Sequence, residues 1–148
     1  MRAVLINTNV LVYAYDRGEP TKQEQAIAVL ERTNILGSGR LSVQSLAEFF
    51  RVVTRGTPPM LKVTDAARQV DLLARGWPVI DLTPMIVLEA VRGVREHRLA
   101  YWDAQVWASA RLNQIPTVFS ENFGGRSILQ GVRFVNPFAA GFDIAAWT

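Results

Sequence analysis

Residues 3–10 read Ala3-Val4-Leu5-Ile6-Asn7-Thr8-Asn9-Val10. Four apolar residues in unbroken succession lack the alternation of a half-wetted strand. They have the pattern of a strand buried on both faces, as in a parallel sheet. Three residues of capping type follow at once. The apolar stretch 10–15 after them reads as a short helix.

The same alternation continues outward. Pro20-Thr21 open a second helix carrying Ala26, Ile27, Val29 and Leu30, which Gly37-Ser38-Gly39 ends, and residues 41–43 form a short second strand. Over 45–55, Leu46, Phe49, Phe50 and Val53 share one helical face until Gly56-Thr57-Pro58-Pro59 breaks the pattern. Residues 63–75 form another helix and 78–82 another apolar strand. Thr83-Pro84 then supplies an N-cap and a first-turn proline for a helix reaching His97. A helix over 102–113 and strands over 116–120 and 132–136 complete the chain. Five short apolar strands separated by helices predict an α/β fold with a mostly parallel five-stranded sheet. A length of 148 residues fits one domain over 1–148. In an open sheet of this kind the reactive cleft lies outside the carboxyl ends of the strands, so residues just after strands are the candidates for chemistry.

Composition narrows the chemistry. There is no cysteine, which removes disulfides, thiolate metal sites and cysteine nucleophiles. A single histidine, His97, makes a zinc site a poor expectation, and a cation near a helix end explains it adequately. There is no Gly-x-Ser-x-Gly and no Gly-x-x-x-x-Gly-Lys. Sixteen Lys and Arg against thirteen Asp and Glu give a net charge of +3, compatible with a polyanionic partner without establishing one. The first apolar run is too short for a signal-peptide core or a membrane span, so a soluble cytoplasmic protein is expected. The four tryptophans are read as core or interface residues in preference to base-stacking platforms.

Four sets of polar residues stand where chemistry would stand. Asn7 follows the first strand and Glu121-Asn122 the fourth. Amides at such places also serve as turn and capping residues. Glu48 shares a helix face with Arg51 and Arg55, which as a solvated surface would hold a Glu–Arg pair at three-residue spacing. Asp103 lies in the first turn of its helix, where a carboxylate suits the dipole. It also lies on the apolar stripe of Val106, Trp107 and Ala110, where a carboxylate is costly unless compensated.

The order of these signals carries a resemblance. The opening through Asn7-Thr8-Asn9 is similar to the start of PIN domains, whose first strand ends in Asp-Thr-Asn. Ser42-Val43-Gln44-Ser45-Leu46-Ala47-Glu48-Phe49-Phe50 resembles the second motif, with Glu48 as its acid. Tyr101-Trp102-Asp103-Ala104 resembles the third, with Asp103 as its acid. Phe119-Ser120-Glu121-Asn122-Phe123, followed by Gly131 to Phe138, resembles the fourth motif and the closing strand. Nearly the whole chain is covered, and VapC-type toxins, which are little more than this domain, are the most similar.

The resemblance implies a three-layer α/β/α sandwich with an acidic pocket that binds Mg²⁺ or Mn²⁺ and hydrolyses RNA. Glu48, Asp103, Asn7, Asn122 and the neighbouring Glu121 would form the metal set. Thr8, Asn9 and Ser120 would orient ligands and waters, and Arg51 and Arg55 would contact RNA phosphates. It further implies a cognate antitoxin laid across the cleft and a homodimer. The helix face of Ile27, Val29 and Leu30 could serve either, with core packing the preferred assignment. Asn7 and Asn122 stand where the family has its first and fourth acids. An amide lends a metal its carbonyl oxygen but no charge, so weak metal binding and slow or absent cleavage are expected. A catalytically silent module that binds RNA or a protein is the competing expectation. A phospho-acceptor receiver domain is disfavoured, because no lysine lies near the fourth or fifth strand and Asp81 runs straight into a helix start.

Overall fold

Val4, Leu5 and Ile6 are all buried and form the central strand of the sheet, β1 (Val4–Ile6). Their side chains alternate between two cores. Leu5 packs with Ile86, Ala90, Ala104, Trp107 and Val118, whereas Val4 and Ile6 pack on the other side with Leu11, Val29, Phe49 and Phe119. A strand that feeds apolar side chains to both faces requires a helical layer on each, which is why the opening run has no polar alternation.

The computed structural model describes residues 2–147. After β1 come α1 (Thr8–Tyr13), α2 (Pro20–Ile35), β2 (Gly39–Ser42), α3 (Val43–Thr54), α4 (Val63–Gly76), β3 (Val79–Ile80), α5 (Pro84–His97), α6 (Tyr101–Leu112), β4 (Thr117–Phe119), β5 (Ile128–Leu129) and β6 (Val132–Val135). A 3₁₀ turn over Ile144–Trp147 follows. The strand order is β3-β2-β1-β4-β6-β5, parallel throughout except for the last pair. Helices α5 and α6 cover one face and α1 to α4 the other. Among the described residues no helix is long and apolar enough to cross a membrane.

Three expectations need correction. The sheet has six strands, not five: Ile128–Leu129 pairs antiparallel with β6 through a two-residue turn at Gln130-Gly131, both at positive φ (45° and 83°). With Ile128 exposed and only two residues involved, the strand leaves no periodic signal. The second strand stops at Ser42, and Val43 already belongs to α3, because the Ser42 hydroxyl accepts the Ser45 N–H at 3.0 Å and caps the helix there. Helix α1 begins at Thr8 rather than Val10, because the Asn7 side chain caps it.

Of the α2 face, Val29 is buried and Leu30 packs partly into the core, while Ile27 is exposed. Arg40 and Leu41 pair edgewise with Leu5 and Val79, so β2 runs beside β1 and its carboxyl end opens on the same edge.

Candidate functional site

Strands β1 and β4 are neighbours, with Ile6 opposite Phe119. Residues 7 and 120 therefore leave the sheet side by side, and the Asn7 N–H donates to the Phe119 carbonyl at 3.0 Å. Asn7 is 92% buried by its neighbours (8% exposed) and its side chain is used at both ends. Its Oδ1 accepts the Thr8 N–H at 2.8 Å, and its Nδ2 donates to Ser120 Oγ at 3.1 Å. Asn9 Nδ2 donates to the same hydroxyl at 3.2 Å, and Ser120 Oγ donates to the Asn122 carbonyl at 3.2 Å. Ser120 thus gathers the first and fourth motifs onto one oxygen.

Glu48 reaches this edge from α3. Its Oε1 accepts the Thr8 hydroxyl at 3.0 Å, and it makes no ion pair with Arg51 among the described residues. The solvated Glu–Arg pair weighed above is absent. Asp103 arrives from the first turn of α6. That helix has no side-chain cap, and Asp103 has no hydrogen-bond or ion-pair partner among the described residues, so capping does not explain it. Burial pushes its carboxyl above the ordinary range, and the nearby Glu48 carboxylate pushes it the same way. Two carboxylates with no protein cation between them face one opening.

Asn7, Thr8, Asn9, Asp16, Glu48 and Asp103 line a cleft of about 420 Å³. Arg51 and Arg55 do not line it; they border an adjoining cleft that shares Glu48. Glu121 and Asn122 are absent from its walls. The Glu121 carboxylate accepts from Tyr13 Oη at 2.7 Å and is paired with Lys22. Burial raises its pKa, but the bonds from Lys22 and Tyr13 outweigh that and hold it below the usual carboxylate range. Asn122 is exposed, and its Oδ1 accepts the Gly125 N–H at 3.3 Å, closing the turn after β4.

Sequence reasoning passed over Asp16, Gln44 and Trp102, which also line the cleft. Asp16 follows α1 in a loop, where a carboxylate is ordinary; its Oδ1 accepts the Gly18 N–H at 2.9 Å. Gln44 is buried and ties α3 to α6: its Nε2 donates to the Trp102 carbonyl at 3.2 Å, and its Oε1 accepts from Gln105 at 3.0 Å. Nothing in the sequence marks that contact, because the burial of Gln44 becomes visible only in the folded chain.

The PIN domain profile matches residues 4–124. The chain belongs to the PIN domain family. Sequence comparison with curated proteins returns no match. Among solved structures, its fold resembles a toxin–antitoxin complex from Klebsiella pneumoniae (18% identity, TM-score 0.66, covering 91% of this chain and 98% of that one). It also resembles VapBC2 from Rickettsia felis bound to a promoter DNA fragment (15% identity, TM-score 0.66, 90% and 98%). VapC20 of Mycobacterium tuberculosis, a toxin that cleaves the sarcin–ricin loop, is alike to the same degree (16% identity, TM-score 0.65, 88% and 99%).

Among the described residues no group of three or more His, Asp or Glu side chains is placed to hold a metal ion. Glu48 and Asp103 nevertheless suit a hard cation that keeps most of its waters and takes one or two carboxylates. Burial first, and the Glu48 charge second, disfavour the Asp103 carboxylate, and a cation bound there would offset both.

Proposed function

We propose that this PIN domain is a Mg²⁺- or Mn²⁺-dependent endoribonuclease, the toxin of a type II toxin–antitoxin pair, with activity weakened by Asn7; Asn122, expected to share that part, lies outside the cleft. The observation that carries the proposal is the convergence of Glu48 and Asp103, from two different helices, on one cleft at the carboxyl edge of the sheet. The likeness of the fold to toxin–antitoxin assemblies supports an antitoxin partner, and likeness to a toxin that cleaves an RNA loop supports an RNA substrate. We assign the protein to the cytoplasm as a homodimer with its antitoxin.

Each residue has a part. Glu48, steadied by the Thr8 hydroxyl, and Asp103 would hold the cation and its waters. Bound there, the metal would polarise the scissile phosphate and lower the pKa of an attacking water. Asn7 offers only a carbonyl oxygen, already accepting the Thr8 N–H, and it cannot take a proton. Losing a carboxylate beside the cation costs roughly 1–4 kcal/mol, about ten- to a thousandfold in metal affinity. Ser120 and Asn9 fix the loop around position 7. Arg51 and Arg55 would meet phosphates along the adjoining cleft.

The capping role of Asn7 and the turn-closing role of Asn122 favour a second reading, a silent module that binds RNA or a protein without cutting. Calorimetric titration with Mn²⁺, followed by an RNA cleavage assay, separates the two. Weak Mn²⁺ binding that Asp103→Asn abolishes, together with slow metal-dependent cleavage, supports the nuclease. No heat of binding and no cleavage at any metal concentration supports the silent module.

A further inference from the structure

Beside the acidic cleft lies a second one of about 530 Å³, whose walls combine an indole, an aliphatic floor and two guanidinium groups. Trp102 is 62% exposed and borders both clefts, one residue before Asp103. Leu82 and Val43 flank it and are themselves exposed. Arg51, in the last turn of α3, and Arg55, the residue that caps its end, also line this cleft. Neither guanidinium has a hydrogen bond or ion pair among the described residues, although six other arginines donate or pair within the fold.

The helical turn that carries the indole is held from behind. Tyr101 meets it edge-on, with ring centroids 5.0 Å apart, and the Tyr101 hydroxyl donates to Gln105 at 2.9 Å. Gln105 donates to Gln44, and Gln44 donates to the Trp102 carbonyl. The first turn of α6 is therefore pinned to α3, and it carries the exposed ring at the junction of the two clefts. An exposed aromatic face beside two unpaired cations is the composition that takes a single-stranded nucleic acid: the ring stacks a base and the cations follow the phosphates. A duplex offers no free base face to such a ring, because its bases are stacked on one another.

We infer that Trp102 is the residue that stacks an unpaired base of the RNA at the junction of the two clefts, with Arg51 and Arg55 on the flanking phosphates. This deepens the ribonuclease reading and rests on it. The test is binding of a labelled single-stranded RNA octamer in EDTA, by fluorescence anisotropy, to the full chain, Trp102→Ala, Trp102→Phe and Arg51→Ala/Arg55→Ala. An octamer with abasic sites throughout and a blunt RNA duplex serve as controls. Trp102→Ala is expected to weaken octamer binding roughly five- to a hundredfold while Trp102→Phe keeps most of it. The abasic strand should bind the full chain and Trp102→Ala alike. Circular dichroism should give both Trp102 variants the melting temperature of the full chain, since the ring is exposed.

Equal octamer binding by Trp102→Ala and the full chain overturns the inference, as does duplex binding as tight as single-strand binding. Concentration-dependent burial of Trp102 without RNA, seen as a blue shift that Trp102→Phe removes and as dimers in sedimentation, also overturns it, since a second copy then covers the ring. Trp102-dependent octamer binding alongside an Asn7→Asp variant that cuts no RNA upholds the inference and sinks the nuclease reading alone. An Asn7→Asp variant whose cleavage is indifferent to Trp102→Ala does the reverse.

Discussion

Ser120 Oγ accepts two amide N–H groups and donates to a carbonyl, at 3% residue exposure. Removing it strands the Asn7 and Asn9 amides where water enters poorly, which costs about 1–3 kcal/mol. Ser120→Ala should therefore lower the unfolding free energy by that amount, seen as a lower urea midpoint at unchanged slope; a loss below about 0.5 kcal/mol would show that the amides find other partners. Asp103 behaves in the opposite sense. Burial first and the Glu48 charge second raise its folded pKa above the unfolded one. Its contribution to stability is fully present below the unfolded pKa and is lost as pH rises through the folded pKa. Asp103→Asn should thus raise the melting temperature at pH 7 in EDTA and abolish any stabilisation by Mn²⁺. A lower melting temperature at pH 7 would contradict the like-charge account. Asp103 was legible in the sequence because it interrupts an apolar stripe. Glu121 was misjudged, since its partner Lys22 lies 99 positions away and no local pattern joins them.

At the scale of elements, α5 and α6 meet where Gly93 faces the fully buried Trp107. A Cβ at Gly93 would stand 2.8 Å from Trp107 Cζ3 and 3.0 Å from Cε3. That ring cannot retreat freely: its Nε1 donates to the Leu129 carbonyl at 3.2 Å, and Arg92 lies over it. Alanine normally favours a helix over glycine by about 1 kcal/mol. Here the overpacking, of about 1–3 kcal/mol, should win. Gly93→Ala is expected to melt several degrees lower by calorimetry, and a higher melting point would mean the layer is loosely packed. The helices themselves were readable because each buries one face; α3 shows it, with Phe49 and Val53 inside and Arg51 outside. What could not be read is the β5–β6 hairpin, whose turn is Gln-Gly rather than Asn-Gly and whose strand buries almost nothing.

Across the whole molecule, two carboxylates hold distant parts together. Glu89 accepts both Arg92 Nε at 2.6 Å and Arg111 Nη1 at 2.5 Å, linking α5 to α6, and Arg92 holds its pKa below the ordinary range. Glu121, also lowered, ties the β4 edge to α1 and α2 through Tyr13 and Lys22. For both, the stabilisation is present above the unfolded pKa and is lost as pH falls through the folded pKa. Acid should therefore weaken the fold, and Glu89→Gln should flatten that acid limb in melting curves taken from pH 6 downward; an unchanged limb would move the effect elsewhere. The overall three-layer plan follows from strands buried on both faces. The cleft was foreseeable only as an edge, because the sequence order of motifs does not say which side chains turn inward and which, like Asn122, turn to cap a loop. Everything functional then depends on charge at one position in that cleft. The deciding measurement is Mn²⁺-dependent cleavage of one RNA by the chain and by Asn7→Asp, side by side. The account predicts that Asn7→Asp is faster by roughly ten- to a thousandfold at limiting Mn²⁺. Equal rates, with the chain already cutting at full speed, would contradict it.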